Sequence, residues 1–376
     1  MTLHGGFSGS EAGTGDTGIK ALGAQALADV LTELGEPRFR STQILGWLYR
    51  RSAKGYAEMT DLPARLRSEL ARHLPLFFPK VVERQVSKDG TRKYLVRLID
   101  GVLVETVGLP VGDRLTVCFS TQAGCAMGCR FCATGFSGFQ RNLHPGEMVD
   151  QLNIVANDFD RRVTGAVAMG QGEPFANYQA TLDALRLMNH AHGPQIGARH
   201  LTVSTCGILP AISRFAEEPE QFTLAVSLHS AVQSTRDALM PGVRSHALPR
   251  LRDALIGYAA QTGRRPSLEY ALADGVNDSD AELDALVAFS RDMLVHVNLI
   301  PINPVAESNA VRASASRVAT FARKLAAAGI EVSVRAERGA DIAAACGQLR
   351  QRATSGGACT EQITPSAGHV SQSPGS

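Results

Sequence analysis

Three cysteines spaced Cys125-x3-Cys129-x2-Cys132, inside the stretch Gly124–Gly135, are the residues of this chain whose type and spacing most directly suggest chemistry. Three thiolates can hold three irons of a [4Fe–4S] cube, and a missing fourth ligand leaves one iron open to a small molecule. Zinc competes for such cysteines, but structural zinc sites close four ligands in paired sets, and no second pair follows here. A disulfide between residues three or four apart would close a strained ring, and the N-terminus has no secretory pattern. The spacing therefore favours a cluster over zinc or a disulfide without eliminating either.

At 376 residues and 44% hydrophobic content, the chain can bury a sizeable core, which excludes a disordered or fibrous protein. Seven cysteines, no signal-peptide pattern and no apolar run of about 18 residues point to a soluble protein of a reducing cytoplasm, away from any membrane. Net charge is only +2, but Glu36 to Asp100 holds fourteen Lys/Arg against seven Asp/Glu, so the remainder is net acidic. A basic lobe on such a body suits a phosphate-facing surface, and suits an ordinary solvated face equally well.

The elements that must position the cysteines follow from periodicity. Residues 1–20 and 351–376, rich in Gly and Ser, read as flexible tails. Across residues 21–78 apolar positions recur at helical spacing (Ile44, Leu45, Trp47, Leu48; Leu62, Leu66, Leu70), with Pro63 near a helix start, as in a small helical domain. Residues 79–108 turn β-rich around Lys88-Asp89-Gly90, a hairpin linking that lobe to the body. From 109 to 350, strand-like runs (Leu115–Ser120, Ala166–Gly170, Leu201–Ser204, Leu224–Leu228, Leu268–Leu272, Val295–Ile300, Val332–Arg335) alternate with helical ones such as Pro145–Ile154, Tyr178–Ala191 and Ser314–Ala328. Repeated βα units predict an α/β fold with a parallel sheet curved into a full or partial barrel, its chemistry at strand C-termini.

Read in order, Cys118, the cysteine loop, Gly170-Gln-Gly-Glu-Pro174, Ser204-Thr-Cys-Gly207, Ser227-Leu-His229, Leu239-Met-Pro241, Asp274-Gly-Val-Asn-Asp278, Asn298-Leu-Ile-Pro-Ile-Asn-Pro304 and Ala344-Ala-Cys-Gly-Gln-Leu349 resemble the radical S-adenosylmethionine (SAM) methyltransferases that modify adenosine 2503 of 23S rRNA. The resemblance runs from about Pro37 to Leu349. It implies a partial (β/α)6-type radical SAM barrel, with a cluster on Cys125, Cys129 and Cys132 and SAM at its open iron. Adenine C2 and C8 are electron-poor carbons, poor nucleophiles toward a sulfonium methyl, so ordinary methyl transfer fails there.

The resemblance further implies that Cys346 first takes a methyl from one SAM as a soft nucleophile. A second SAM, cleaved to a 5′-deoxyadenosyl radical, abstracts hydrogen from that methyl, and the resulting carbon radical adds to adenine as a protein–RNA crosslink. Cys118 then releases it, leaving a Cys118–Cys346 disulfide, with Glu105 as proton acceptor. By the same resemblance Gly172, Glu173, Ser204, Ser227, Leu228, His229 and Asn303 bind SAM, with Glu173 meeting its ammonium. Taken singly, Glu105 reads as an exposed strand carboxylate and Cys118 as a small core residue. The basic lobe would contact phosphates through Arg38, Arg40, Arg50, Arg51, Lys54, Arg65 and Arg67, and the target base must leave its stack.

Several positions depart from the family pattern. Gln171 stands where Met is common, Phe175-Ala176 replaces a Leu pair, Cys206 replaces Ser, Ala340 replaces Asp, and Gly242–Ala247 replaces an Ile-Asn-x-x-Tyr-Pro run. Phe175–Asn177, Ser227–Ser230 and Cys132–Gly135 lean toward the C8-methylating, antibiotic-resistance branch, whereas Arg338-Gly339 and Asp341-Ile342 lean toward the larger C2 branch. The expectation is thus C2 methylation of adenosine 2503, with adenosine 37 of tRNA as a further substrate and C8 methylation as the alternative. The enzyme is expected as a monomer reduced by a flavodoxin- or ferredoxin-type donor. A noncatalytic iron–sulfur RNA-binding protein is the contrasting class, disfavoured because a structural cluster prefers a fourth protein ligand. Cys206 and Cys359 have no assigned role.

Overall fold

A computed structural model describes residues 18–303, 305, 308–344 and 348. Cys346, Cys359, Pro304 and most of both expected tails lie outside the described residues.

Three helices, α1 (Ala24–Glu33), α2 (Phe39–Leu45) and α3 (Ala64–His73), open the chain, and Pro63 starts α3 as its position suggested. Their apolar stripes, Leu27 and Leu31, Ile44 and Leu45, Leu66 and Leu70, are buried against one another and against the body. Four antiparallel strands follow: β1 (Lys80–Val86), β2 (Arg92–Arg97), β3 (Leu103–Val111) and β4 (Arg114–Cys118). The β1–β2 turn is the one expected around Gly90, whose φ of +82° favours a residue without a Cβ.

Beyond β4 come the short strands β5 (Gln122–Gly124) and β6 (Phe139–Asn142), pairing with each other and flanking α4 (Ala133–Ser137). The barrel then runs α5 (Pro145–Phe159), β7 (Gly165–Ala168), α6 (Tyr178–Asn189), β8 (Leu201–Thr205), α7 (Leu209–Ala216), β9 (Thr223–Ser227), α8 (Gln233–Leu239), α9 (Leu248–Thr262), β10 (Ser267–Leu272), α10 (Asp280–Ser290), β11 (His296–Pro301), α11 (Ala315–Ala327) and β12 (Glu331–Val334). Strands order as β1-β2-β3-β4-β7-β8-β9-β10-β11-β12 in one sheet, parallel from β4 onward. This is the expected partial barrel of βα units, with the hairpin strands continuing its sheet at one edge.

Strand alternation builds the lumen. Leu201 and Val203, Leu224 and Val226, Leu268, Tyr270 and Leu272, and Val297 and Leu299 pack outward into the main core beneath the helices. The alternating set, Ala168, Ser204, Ser227, Glu269, Ala271 and Ile300, faces a central cavity and, apart from Ile300, is small or polar. Helix starts are capped where the sequence allows it: Ser279 Oγ accepts from Glu282 N (3.2 Å), Ser314 Oγ accepts from Arg317 N (3.2 Å), and Glu147 accepts from His144 N (2.8 Å) behind Pro145. Among the described residues no helix is long and apolar enough to cross a membrane.

One buried ion pair ties the N-terminal segment to the barrel. Lys20 Nζ donates to both Asp150 oxygens (2.8 and 3.0 Å) and sits 4.1 Å from the Phe78 ring centre. Gly146 allows the approach, since a Cβ there would lie 2.3 Å from the Lys20 carbonyl. Breaking a buried pair leaves an uncompensated charge. Asp150→Ala is therefore expected to lower unfolding stability by about 3–5 kcal/mol, while Lys20→Met with Asp150→Leu costs far less; denaturant midpoints of the two variants measure the difference.

Candidate active site

The cysteine loop spans the connection from β5 to α4 and is fixed from both sides. Cys125 N donates to Gly138 O (2.8 Å), Cys132 N to Cys129 O (3.2 Å), Arg130 N to Leu239 O and Gly242 N to Met127 O (both 3.0 Å). The last two bonds bring the end of α8 and the turn after it against the loop, which gives the divergent Gly242 a role: a Cβ there would lie 2.7 Å from the Met127 backbone. Gly128 takes φ +64° within the loop.

Burial pushes the Cys125 thiol up to about 12 and Cys129 well above its ordinary value, and each is raised further by its neighbours, Cys132 and Glu173. Thiols gathered in this way cannot ionise separately, whereas iron ions supply the positive charge that stabilises all three thiolates together. Behind them Arg236 is fully buried; it donates from Nη2 to Cys206 O (2.7 Å), and its Nε and Nη1 have no partner among the described residues. A buried cation with unspent N–H groups near Cys129 suits an anionic iron–sulfur centre. The residues present fit a [4Fe–4S] cluster on Cys125, Cys129 and Cys132.

A cavity of about 140 Å³ adjoins the loop and is bordered by Cys125, Cys129, Gly172, Glu173, Ser204, Ser227, His229 and Asn303 among others. The structure thus brings together the expected SAM-binding residues except Leu228, whose side chain is fully buried in the main core while its N–H donates to Glu269 O (3.0 Å). Glu173 is held by three elements: its N–H donates to Gln122 Oε1 (2.8 Å), Oε1 accepts from Phe175 N (2.9 Å) and Oε2 accepts from Cys206 N (2.7 Å). Burial raises its pKa, so the bonded carboxylate is poised for a cationic partner. Gly172 makes the approach possible, with φ +104° and a Cβ position 2.6 Å from the Gln122 side chain.

His229 is a non-glycine residue at φ +55°, held by Asn277, whose Nδ2 donates to the His229 and Ala271 carbonyls (2.5 and 2.7 Å). The Asp274–Asp278 motif therefore works through Asn277 as a clip behind the site. Burial, with Arg236 nearby, pushes the imidazole down to about 3, and its Nδ1 accepts from Ala271 N (2.9 Å). The neutral ring therefore carries its proton on Nε2. Phe131 of the cysteine loop meets the ring edge-on at 4.6 Å.

Sequence reasoning missed Glu269 and gave Cys206 no role. Glu269 borders the same cavity, its pKa raised by burial, and accepts from Ser267 Oγ (2.8 Å) and Asn298 Nδ2 (2.7 Å). A carboxylate inside the apolar run Leu268–Leu272 was the available signal.

A second cavity, of about 240 Å³, shares Met169, Gly170, Ile300 and Asn303 with the first. Cys118, Cys132, Thr134, Val107, Arg335, Arg338 and Ala344 are among its borders. Val107 lies opposite Cys118 across β3–β4, and Ala344, two residues before Cys346, packs on that patch. Glu105 is on the same face of β3 but is 4% exposed, overturning the exposed-carboxylate reading; it borders neither cavity and pairs with Lys93 at 3.3 Å. Cys346 itself, and with it the Cys118–Cys346 disulfide, lies outside the described residues.

Of the expected phosphate contacts, several are engaged within the lobe. Arg65 pairs with Glu36 (2.7 Å) and Glu69 (3.2 Å), Arg40 with Glu36 (3.8 Å), Arg67 donates to Ala57 O (3.0 Å), and Arg51 stacks on Trp47 at 4.2 Å. Arg38 and Arg50 are exposed and form no ion pair among the described residues.

Residues 119–286 match the radical SAM superfamily, and residues 18–75 the ribosomal RNA large subunit methyltransferase N-terminal domain. Over 337 residues the chain is 44% identical to a protein of Geobacillus kaustophilus named as a probable dual-specificity RNA methyltransferase RlmN, covering 89% of this chain and 92% of that one. A Lysinibacillus sphaericus protein of the same name is 46% identical over 327 residues, 86% of each chain. The crystal structure of a radical SAM methyltransferase from Sphaerobacter thermophilus superposes with a TM-score of 0.83 at 45% identity, covering 89% of this chain and 99% of that one.

Replacing Glu173 by Gln presents an amide NH2 to one of two backbone donors and removes the charge. SAM binding to the reconstituted protein, measured by equilibrium dialysis, is expected to weaken roughly 10- to 100-fold, as for loss of a charge-assisted hydrogen bond of about 1.5–3 kcal/mol. Unaltered affinity would exclude Glu173 from the SAM site.

Proposed function

Because the chain belongs to the RlmN dual-specificity radical SAM RNA methyltransferases, we propose that it methylates C2 of adenosine 2503 in 23S rRNA, and adenosine 37 of tRNA, through a methyl carried on Cys346. One observation carries this reading: the Glu173 cavity beside the cysteine loop and the Cys118 cavity beneath the Ala344 turn share a wall at Met169, Gly170, Ile300 and Asn303. Methyl activation and adduct release then occur side by side.

The bound cluster supplies the low-potential electron that cleaves SAM. Glu173 holds the SAM ammonium, His229 offers its Nε2 proton, and Ser204, Ser227 and Asn303 add hydroxyl and amide partners. Cys346 accepts a methyl from a first SAM as its sulfur–carbon bond forms and the sulfonium becomes a thioether; a second SAM completes each turnover. In the adduct, the methylene bridges the Cys346 sulfur and the adenine carbon. The adduct formed by radical addition gives up its unpaired electron to the oxidised flavodoxin- or ferredoxin-type carrier as Glu105 takes the ring proton on its carboxylate, which restores the aromatic ring. The Cys118 thiolate then attacks the Cys346 sulfur, and the carbon–sulfur electron pair passes to the methylene, which gains a proton to become methyl. The Cys118–Cys346 disulfide left behind needs a dithiol reductant.

The domain scheme that fits this reaction has residues 21–78 as the RNA-facing lobe, with Arg38 and Arg50 as its uncommitted charges, 79–108 as linker and 109–350 as catalytic barrel. The enzyme acts as a cytoplasmic monomer with a flavodoxin- or ferredoxin-type donor. The C2-leaning residues Arg338, Gly339, Asp341 and Ile342 support the regiochemistry, since they form the turn leading to Cys346.

Anaerobic reconstitution and incubation with deuterated-methyl SAM and RNA is expected to give 2-methyladenosine with fewer than three deuterons in its methyl; a fully deuterated methyl or an 8-methyl product overturns the route or the regiochemistry respectively. Cys118→Ala is expected to accumulate RNA-linked protein and Cys346→Ala to yield neither product nor adduct, both read on denaturing gels.

A further inference from the structure

Lys93 lies in the middle of β2, only 6% exposed, and its ammonium joins residues from distant parts of the chain. Nζ is 3.3 Å from Glu105 Oε1 on β3 and donates to the carbonyl of Ala343 at 3.3 Å. Register explains the first contact: Lys93 pairs with Val107, and Val107 in turn with Cys118, so the three form a row across β2, β3 and β4 with Glu105 one step along the same face. The second contact reaches the turn that leads to Cys346, three residues beyond Ala343.

That turn is held in a conformation side chains rarely adopt. Gly339 sits at φ +65° and Ala343 at φ +49°. The β1–β2 turn braces it: Ser87 Oγ donates to Asp341 Oδ1 (2.6 Å), Lys88 N donates to Asp341 Oδ2 (3.2 Å), and Asp89 Oδ2 accepts from Gly339 N (3.1 Å). A buried ammonium costs free energy unless paired, and an apolar side chain of equal length would fill the space without that cost. Holding the turn alone does not require Lys93, since Ser87, Lys88 and Asp89 already grip it. What the ammonium adds is a link between the turn and the Glu105 carboxylate.

We propose that Lys93 is a positioning residue for the release half of the reaction: one ammonium pairs with the Glu105 carboxylate and fixes the Ala343 turn against it, so that the proton acceptor and the turn that leads to the carrier cysteine stay in register beside Cys118. The assignment rests on the reaction proposed above. Lys93 borders neither cavity, so it makes no contact where SAM gives up its methyl.

The test compares full-length, cluster-reconstituted Lys93→Met and Lys93→Arg with the parent protein. For Lys93→Met, intact mass should show Cys346 methylated as in the parent, while free methylated RNA from a single turnover falls roughly tenfold and RNA-linked protein accumulates. Amide exchange at residues 342–344 should quicken several-fold, as expected when a local opening loses a tether. Lys93→Arg, which keeps the cation, should restore release to near the parental rate. Parental release and exchange in Lys93→Met overturn the proposal; so does joint loss of methylation and adduct in both variants, the mark of a merely structural lysine. If the Cys118→Ala protein forms no adduct, the proposed reaction fails instead, and the exchange measurement alone still decides whether Lys93 tethers the turn.

Discussion

A buried thiol ionises only when a cation arrives to share its charge, and the centre of this protein is arranged around that constraint. Cys125 and Cys129 are raised by burial and by their neighbours, with the Glu173 carboxylate adding to the strain. Burial thus disfavours the thiolates of Cys125 and Cys129 until a cation offsets their charge. The backbone bonds from Leu239 and Gly242 hold the loop in place meanwhile, and the unspent donors of Arg236 stand behind it. Glu173 obeys the same logic: two backbone N–H groups support its carboxylate, yet burial still favours the acid until an ammonium approaches.

The hairpin strands matter for a related reason. The main-chain groups of β3 and β4 carry the parallel sheet outward, so Glu105, Val107 and Cys118 project from one continuous face. The β1–β2 turn then reaches around to brace residues 339–341, which come from the far end of the chain. A segment that looks like a connector thus braces the turn at residues 339–341. The contacts to Ser87 and Lys88 come from Asp341, not from the neighbouring Ala340.

Much of this was legible in the sequence because it is local. The period-two runs of the barrel strands and the helical spacing of Pro145–Ile154 and Tyr178–Ala191 marked elements that the structure reproduces to within a few residues. The cysteine spacing and the order of the strand-end motifs point to residues that line one cavity beside the cysteine loop, because in a βα barrel each strand end meets the others at one mouth. What escaped were pairings distant in sequence. Lys93 reads as an ordinary strand lysine until the Ala343 carbonyl, 250 positions later, accepts a hydrogen bond from it. Glu269 is a single carboxylate in an apolar strand, and Leu228 was included with its motif although only its neighbours face the cavity. Charge counting likewise could not show that Arg40, Arg65 and Arg67 are spent inside the lobe.

The departures from the family pattern acquire different meanings once placed. Phe175 is buried against Tyr178 and Phe215, so its replacement of Leu is a matter of core volume. Gln171 is buried behind β3, where its Oε1 accepts from Glu105 N (3.2 Å) and so supports that strand. Cys206 borders the SAM-side cavity and gives its N–H to Glu173, a bond that any residue but proline supplies. None of the three borders the cavity beside Cys118. Among the segments that differ between the C2 and C8 branches, that cavity is bordered by Cys132, Thr134 and Arg338. The branch-distinguishing residues that border the Cys118 cavity thus belong to the cluster loop and the Arg338 turn, whereas Gln171, Phe175 and Cys206 lie away from it.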